Sequence, residues 1–242
     1  MAGLFQVLWG QPDGTFKNAA TLTGTDGEPL IIPVVDKENW IENICTRPSA
    51  VDWDNDGDLD LVVGNYPGGF YLFTGEGQGQ FASQPQVITT GDVPLKINGT
   101  HSDPFPVDWD GDGDLDLLSG SSLGGVQWAE NTAGAGALPD LKPFESLIEP
   151  SPAAQTGAPQ EETELAGPAR TTRVWADDVN VDGKLDILLG DTVSVKNPPA
   201  SPSAGDSAER DLASDRQGIE PSENVARPAT ERTGFVWLYL QK

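Results

Sequence analysis

Short apolar runs recur along the chain, and each one directly follows a cluster of alternating acidic residues. These runs are Leu59–Val63, Leu115–Leu118 and Leu185–Leu189. An apolar run of this length between aspartate and glycine is typical of a β-strand covered on both faces, although periodicity alone leaves a buried helix open. Segments of alternating polarity follow at Phe70–Phe73, Val126–Ala129 and Phe235–Tyr239. The pattern predicts an all-β chain of short strands.

The strands belong to an internal repeat. Residues 52–73 align with residues 108–129 at a constant offset of 56, without a gap. A third copy begins at Asp178, is interrupted, and resumes at Gly234, and a partial copy, residues 4–16, opens the chain. Each full unit has a strand before the acidic loop, two strands after it, and an outer strand such as Gln86–Thr89. Four short strands per repeat with glycine-rich turns predict a β-propeller of four-stranded blades.

About three and a half blades are present, which predicts a partial or incomplete ring. The predicted units are a leading partial blade (1–30), blades with the first and second acidic loops (31–90 and 91–149), and a third blade (170–242). Residues 150–169 and 197–232 are rich in small, polar and proline residues, so we expect a flexible linker and a disordered insertion. A half ring exposes sheet edges. We therefore expect further N-terminal blades or self-association.

The acidic loops have the chemistry of cation sites. Alternate carboxylates on a curled loop converge and repel one another unless a cation joins them. Oxygen donors on a flexible loop favour Ca²⁺ over Mg²⁺, so we predict up to three calcium sites. The expected ligands are the side chains at loop positions 1, 3, 5 and 9 and the backbone carbonyl at position 7. They are Asp52, Asp54, Asp56, Asp60 and the Asp58 carbonyl; Asp108, Asp110, Asp112, Asp116 and the Asp114 carbonyl; and Asp178, Asn180, Asp182, Asp186 and the Lys184 carbonyl.

Position 8 of each loop is a leucine, and we expect Leu59, Leu115 and Leu185 to anchor the loops in the core. The third loop has one carboxylate fewer and carries a lysine, so we expect the weakest site there.

An EF-hand is disfavoured because it needs a glutamate at position 12 and flanking helices. A dockerin-like module, a solvated acidic turn without metal and a glycosidase carboxylate pair remain alternatives.

Charge and composition limit the classes of partner and site that the chain can have. The formal net charge is −24, from 14 basic and 38 acidic residues, which disfavours nucleic acid and anionic membranes as partners. No stretch has the length of an apolar membrane span, and the first residues lack the pattern of a signal peptide. The only cysteine, Cys45, is expected to be a free buried thiol, and the only histidine, His101, to have a structural or surface role. We expect Trp53, Trp109, Trp128 and Trp237 to pack between adjacent blades.

The Asp-x-Asp-x-Asp-Gly-x-x-Asp-Leu loops, each followed by a short apolar strand, resemble the FG-GAP/VCBS-type repeats of integrin α-like β-propellers, in particular those of secreted bacterial proteins. The resemblance implies calcium in the blade loops, export to the periplasm, cell surface or medium, and recognition or adhesion through binding of an unidentified protein or glycan. We therefore expect a non-catalytic module. The alternative is a propeller-fold carbohydrate-active enzyme, similar to polysaccharide lyases, with structural calcium loops.

Overall fold

The protein is described by a computed structural model that covers residues 3–34, 40–152, 156, 158–196 and 230–241. These residues form an almost entirely β structure of several antiparallel sheets, and no sheet among them closes on itself. Two short 3-10 helices, Trp40–Asn43 and Glu162–Glu164, are also present. Within the described ranges, no helix has the length and apolar character needed to cross a membrane.

The strands follow the repeat. A leading pair, β1 (Gln6–Val7) and β2 (Ala20–Thr21), precedes the first sheet, which is ordered β3 (Arg47–Val51), β4 (Asp60–Gly64), β5 (Phe70–Phe73) and β6 (Gln86–Val87). A small hairpin of β7 (Thr89–Thr90) and β8 (Val93–Pro94) comes next. The second sheet contains β9 (Asp103–Val107), β10 (Asp116–Gly120), β11 (Val126–Ala129) and β12 (Glu145–Ile148). The prediction of propeller-like four-stranded blades is confirmed for these two sheets.

The third sheet departs from this plan. It pairs β13 (Arg170–Asp177) with β14 (Asp186–Lys196), and β14 is longer than the apolar run that predicted it. The first half of β14 pairs with β16 (Val236–Tyr239), and its second half forms a hairpin with β15 (Thr230–Thr233). The predicted insertion lies outside the described residues at 197–229, whereas its last residues, 230–232, are strand. The predicted flexible linker, residues 150–169, is tied to β14 at Gln160, which bridges Val195.

The fully buried strands have an apolar core on each face, as their composition predicts. Val62 of β4 packs in a cluster shared with the second sheet, whereas its neighbours Leu61 and Val63 pack against the leading segment. In β10, Leu117 faces the first sheet and Leu118 faces the third. Side chains alternate across a strand, so the second sheet is covered by the first and third sheets, and the first sheet is covered by the second sheet and the leading segment. The core therefore lies between blades.

The four tryptophans predicted to pack between blades do so. Trp53 is 5% exposed and lies in the cluster that joins the first and second sheets. The other three predicted tryptophans pack against the cluster between the second and third sheets: Trp109, Trp128 and Trp237.

A buried hydroxyl joins each sheet to the next, and we call this contact the hydroxyl bridge. Ser102, just before β9, accepts a hydrogen bond from the Asn65 amide and donates to the Gly69 carbonyl, both at 2.8 Å. Thr172 of β13 repeats the contact with the Ser121 amide at 2.9 Å and the Gly125 carbonyl at 2.8 Å. The backbones approach closely beside each bridge: a Cβ at Gly64 would clash with the Ser102 carbonyl, and one at Gly120 with the Thr172 carbonyl.

Two expectations about single residues are wrong. Leu59 is 59% exposed and does not anchor its loop, because the strand begins at Asp60 and the carboxylate takes the inward position. Leu115 and Leu185 are only half-buried. Cys45 is a free thiol but is exposed, since it lies in the connection that leads into β3 rather than in a core.

Candidate metal centre

The three acidic loops connect the first and second strands of their sheets and share one backbone scaffold. The carboxylate at position 1 accepts a hydrogen bond from the position 6 glycine amide in each loop, from Gly57 at 3.1 Å, Gly113 at 3.1 Å and Gly183 at 2.8 Å. The position 5 carboxylate accepts from the amide of position 7 in each loop. Each bonded oxygen keeps a second lone pair, so these carboxylates remain able to hold a cation.

Carboxylates converge in the first and second loops. In the first loop, oxygens of Asp52, Asp54 and Asp60 lie within 4.8 Å of one another, and in the second loop the same is true of the following three residues: Asp108, Asp110 and Asp112. Asp56 and Asp116 lie outside these groups, although position 5 and position 9 were both predicted as ligands. The donors are all hard oxygens, which fits Ca²⁺ and not a soft-ligand metal.

Crowding of negative charge is visible in the first group. Burial raises the pKa of the Asp54 carboxyl, and the neighbouring charges of Asp60 and Asp56 raise this pKa further. Like charges disfavour ionisation of one another. A divalent cation at this point would remove the repulsion and keep all three groups ionised.

The position 9 aspartates have a structural task that the sequence does not show. Asp60, Asp116 and Asp186 are at most 1% exposed. One oxygen of each accepts from the amide at loop position 2, at 2.8, 3.1 and 3.1 Å. The other oxygen accepts from an amide just beyond the third strand of the sheet: Gly75 at 2.6 Å, Asn131 at 2.7 Å and Gln241 at 2.9 Å. Each closing aspartate thus fastens the loop to its own sheet.

Asp114, expected to contribute only its carbonyl, has a buried side chain. It is 5% exposed; one oxygen accepts from the Gly134 amide at 2.8 Å, and the other has no hydrogen-bond partner among the described residues. Burial raises the pKa of this carboxyl, and the charges of Asp112 and Asp110 add to the effect. Asp114 and Asp52 both line a 60 Å³ cavity between the first two loops. Spacing alone could not reveal this shared cavity, because its lining comes from two repeats.

The third loop has the same scaffold and a weaker donor set. Its residues 178–186 are all described, and they form no group of three converging acidic side chains. Asn180 supplies an amide where the other loops have a carboxylate. Val181 has φ of 60°, a left-handed conformation that is strained for a β-branched residue, whereas the equivalent positions are Asn55 and Gly111. Two of the three predicted centres therefore show converging carboxylates.

Comparison with known protein families gives a match over part of the chain. The family described as FG-GAP-like repeat matches residues 52–119, which include the first two acidic loops and the strands between them. No match was found among curated proteins or solved structures.

Proposed function

The chain contains an FG-GAP-like repeat, and from this premise we propose that it is a calcium-bearing, non-catalytic module that recognises a protein or glycan outside the cytoplasm. The observation that carries the calcium part is the convergence of three carboxylates in each of the first two loops. Asp52, Asp54 and Asp60 would hold one ion, and the other would be held by the second group: Asp108, Asp110 and Asp112. Bound calcium supplies positive charge that joins these carboxylates.

The backbone of each loop orients the carboxylates that would bind the ion. Backbone amides orient the carboxylates at positions 1 and 5, and the buried aspartate at position 9 fixes the loop to its sheet. A bound ion would therefore stiffen the end of a blade. For a dissociation constant of about 0.1 mM and a calcium concentration of about 1 mM, each site would stabilise the fold by about 1.4 kcal/mol.

Calorimetric titration with calcium and magnesium tests this role. We expect calcium to bind more tightly than magnesium, and we expect the third loop to be the weakest site, because it has one carboxylate fewer and carries Lys184. Asp54→Asn should remove binding at the first loop, and Asp110→Asn at the second. Thermal melts with and without chelator should show stabilisation by calcium. No heat of binding and no shift in melting temperature would contradict the calcium role.

The recognition role is tested separately by binding and turnover assays on a panel of neutral and acidic polysaccharides and on extracellular matrix proteins. We expect binding without cleavage. Cleavage that persists in folded variants of the acidic loops would instead favour a carbohydrate-active enzyme.

A further inference from the structure

The arginines gather at the end of the sheets opposite the acidic loops. In the first sheet, Arg47 pairs with Gly64 at one end, whereas Val51 pairs with Asp60 at the loop end. In the third sheet, Arg173 likewise pairs with Gly190, far from the loop. All four arginines of the described residues lie at this end, together with His101, the only histidine of the chain, for which a structural or surface role was expected. The arginines are Arg47, Arg170, Arg173 and Arg232.

A cavity of 520 Å³ opens at this end of the sheets, and we call it the arginine cavity. Arg170, Arg232 and His101 line it, together with six hydroxyl-bearing side chains that include Tyr66 and Thr100. Its volume lies in the range of small-molecule sites, which is about 300–1,000 Å³. The lining combines positive charge with many groups that both donate and accept hydrogen bonds.

The positive charge at the cavity is only partly neutralised. Arg47 and Arg173 share one carboxylate oxygen, Oδ1 of Asp103, at 3.6 and 3.7 Å. Arg170 and Arg232 form no ion pair with any described residue. Burial and the charges of Arg47 and Arg173 lower the pKa of His101. In a chain with a net charge of −24, two arginines at one cavity without an ion pair to a described residue are not a general property of the surface.

The walls of the arginine cavity are fixed by backbone hydrogen bonds that cross from one sheet to the next. The His101 amide donates to the Tyr66 carbonyl at 2.8 Å, and the Thr171 amide donates to the Ser122 carbonyl at 3.3 Å. His101 and Thr171 have φ of 63° and 53°. Such left-handed conformations are rare outside glycine and collect at functional sites. These bonds therefore fix the His101 and Thr171 side of the cavity before any ligand arrives.

We propose that the arginine cavity binds an acidic sugar, a uronic acid or a similar hydroxylated carboxylate, with its carboxylate on Arg170 and Arg232. The guanidinium fork matches a carboxylate with two parallel hydrogen bonds, and the hydroxyl-rich lining suits the sugar hydroxyls. The inference rests on the proposed recognition role and gives it a ligand class and a place, at the opposite end of the sheets from the calcium loops.

Calorimetric titration with D-glucuronate tests the inference, with D-glucose, acetate and sulfate as comparison ligands. We expect glucuronate to bind more tightly than any of the three. Arg170→Gln and Arg232→Gln should each weaken glucuronate binding about tenfold, since a charge-assisted hydrogen bond is lost. Lys142→Gln removes one positive charge elsewhere on the surface, from a lysine paired with Glu130, and should leave the affinity unchanged within about twofold.

Equal binding of glucose, acetate or sulfate, or unchanged affinity in both arginine variants, would overturn the inference. The same protein preparations are also titrated with calcium, so that a failure of the calcium proposal can be distinguished from a failure of the acidic-sugar proposal. Calcium binding without glucuronate binding overturns the acidic-sugar site alone. Glucuronate binding that is lost in the arginine variants, in a protein that takes up no calcium, supports the arginine cavity and contradicts the calcium role.

Discussion

At the scale of single residues, the carboxylates of the acidic loops have two tasks, the proposed cation binding and fastening of the loop, and Asp60 takes part in both. The alternating aspartates predict the loops and their cation chemistry. They do not predict that Asp186, like its two equivalents, accepts a backbone hydrogen bond at each of its oxygens. One of the two donors, Gln241, lies 55 residues away in the sequence. The prediction that the position 8 leucine anchors the loop is wrong for a different reason. The residue at which the strand begins decides which side chain points inward, and the apolar run in the sequence does not locate that residue.

Asp186→Asn tests the fastening role without calcium. Asparagine offers one acceptor oxygen in place of two, so residue 186 can no longer accept from both the Val179 and the Gln241 amides. In chelator, we expect the free energy of unfolding, measured by urea denaturation, to fall by about 1–3 kcal/mol. Asp182→Asn is the matched control, since Asp182 is exposed and an asparagine oxygen can still accept from the Lys184 amide. Equal losses in both variants would contradict a special role for position 9.

At the scale of elements, the hydroxyl bridges explain how neighbouring sheets keep their positions. The sequence repeat predicts the strands of each sheet, and most of their bounds agree with the structure to within one or two residues. The bridges could not be predicted, because Ser102 and Thr172 differ in residue type and lie outside the aligned segments 52–73 and 108–129. The hairpin of β14 and β15 could not be predicted either, because a segment of polar composition separates its two strands in the sequence.

Thr172→Val removes a hydroxyl bridge at nearly constant volume. The Ser121 amide and the Gly125 carbonyl would then be buried without their partner, so we expect the free energy of unfolding to fall by about 1–3 kcal/mol. Thr132→Val is the control: Thr132 is exposed, and its hydroxyl donates to the Asp140 carbonyl at the surface. Urea denaturation of both variants should show a clear loss for Thr172→Val alone. A loss no larger than that of Thr132→Val would show that packing, not the bridge, joins the sheets.

At the scale of the whole molecule, the negative charge opposes folding until ions screen it. A net charge of −24 repels itself in the compact state. Raising sodium chloride from about 0.01 M to about 0.15 M shortens the screening length from about 30 Å to about 8 Å. We therefore expect the melting temperature in chelator to rise over this range and to rise less in saturating calcium, since calcium bound as proposed would already neutralise the loops. An equal salt response in both conditions would contradict this account.

The opposite placement of the acidic loops and the arginine cavity also gives the protein a preferred side for adsorption. An amine-coated surface attracts the loop carboxylates first and leaves the cavity open to solution, whereas coupling through the arginine end would cover it. A biosensor assay of sugar binding should therefore immobilise the protein by its loop end. Calcium in the running buffer would weaken that attachment, because it competes with the amines for the same carboxylates.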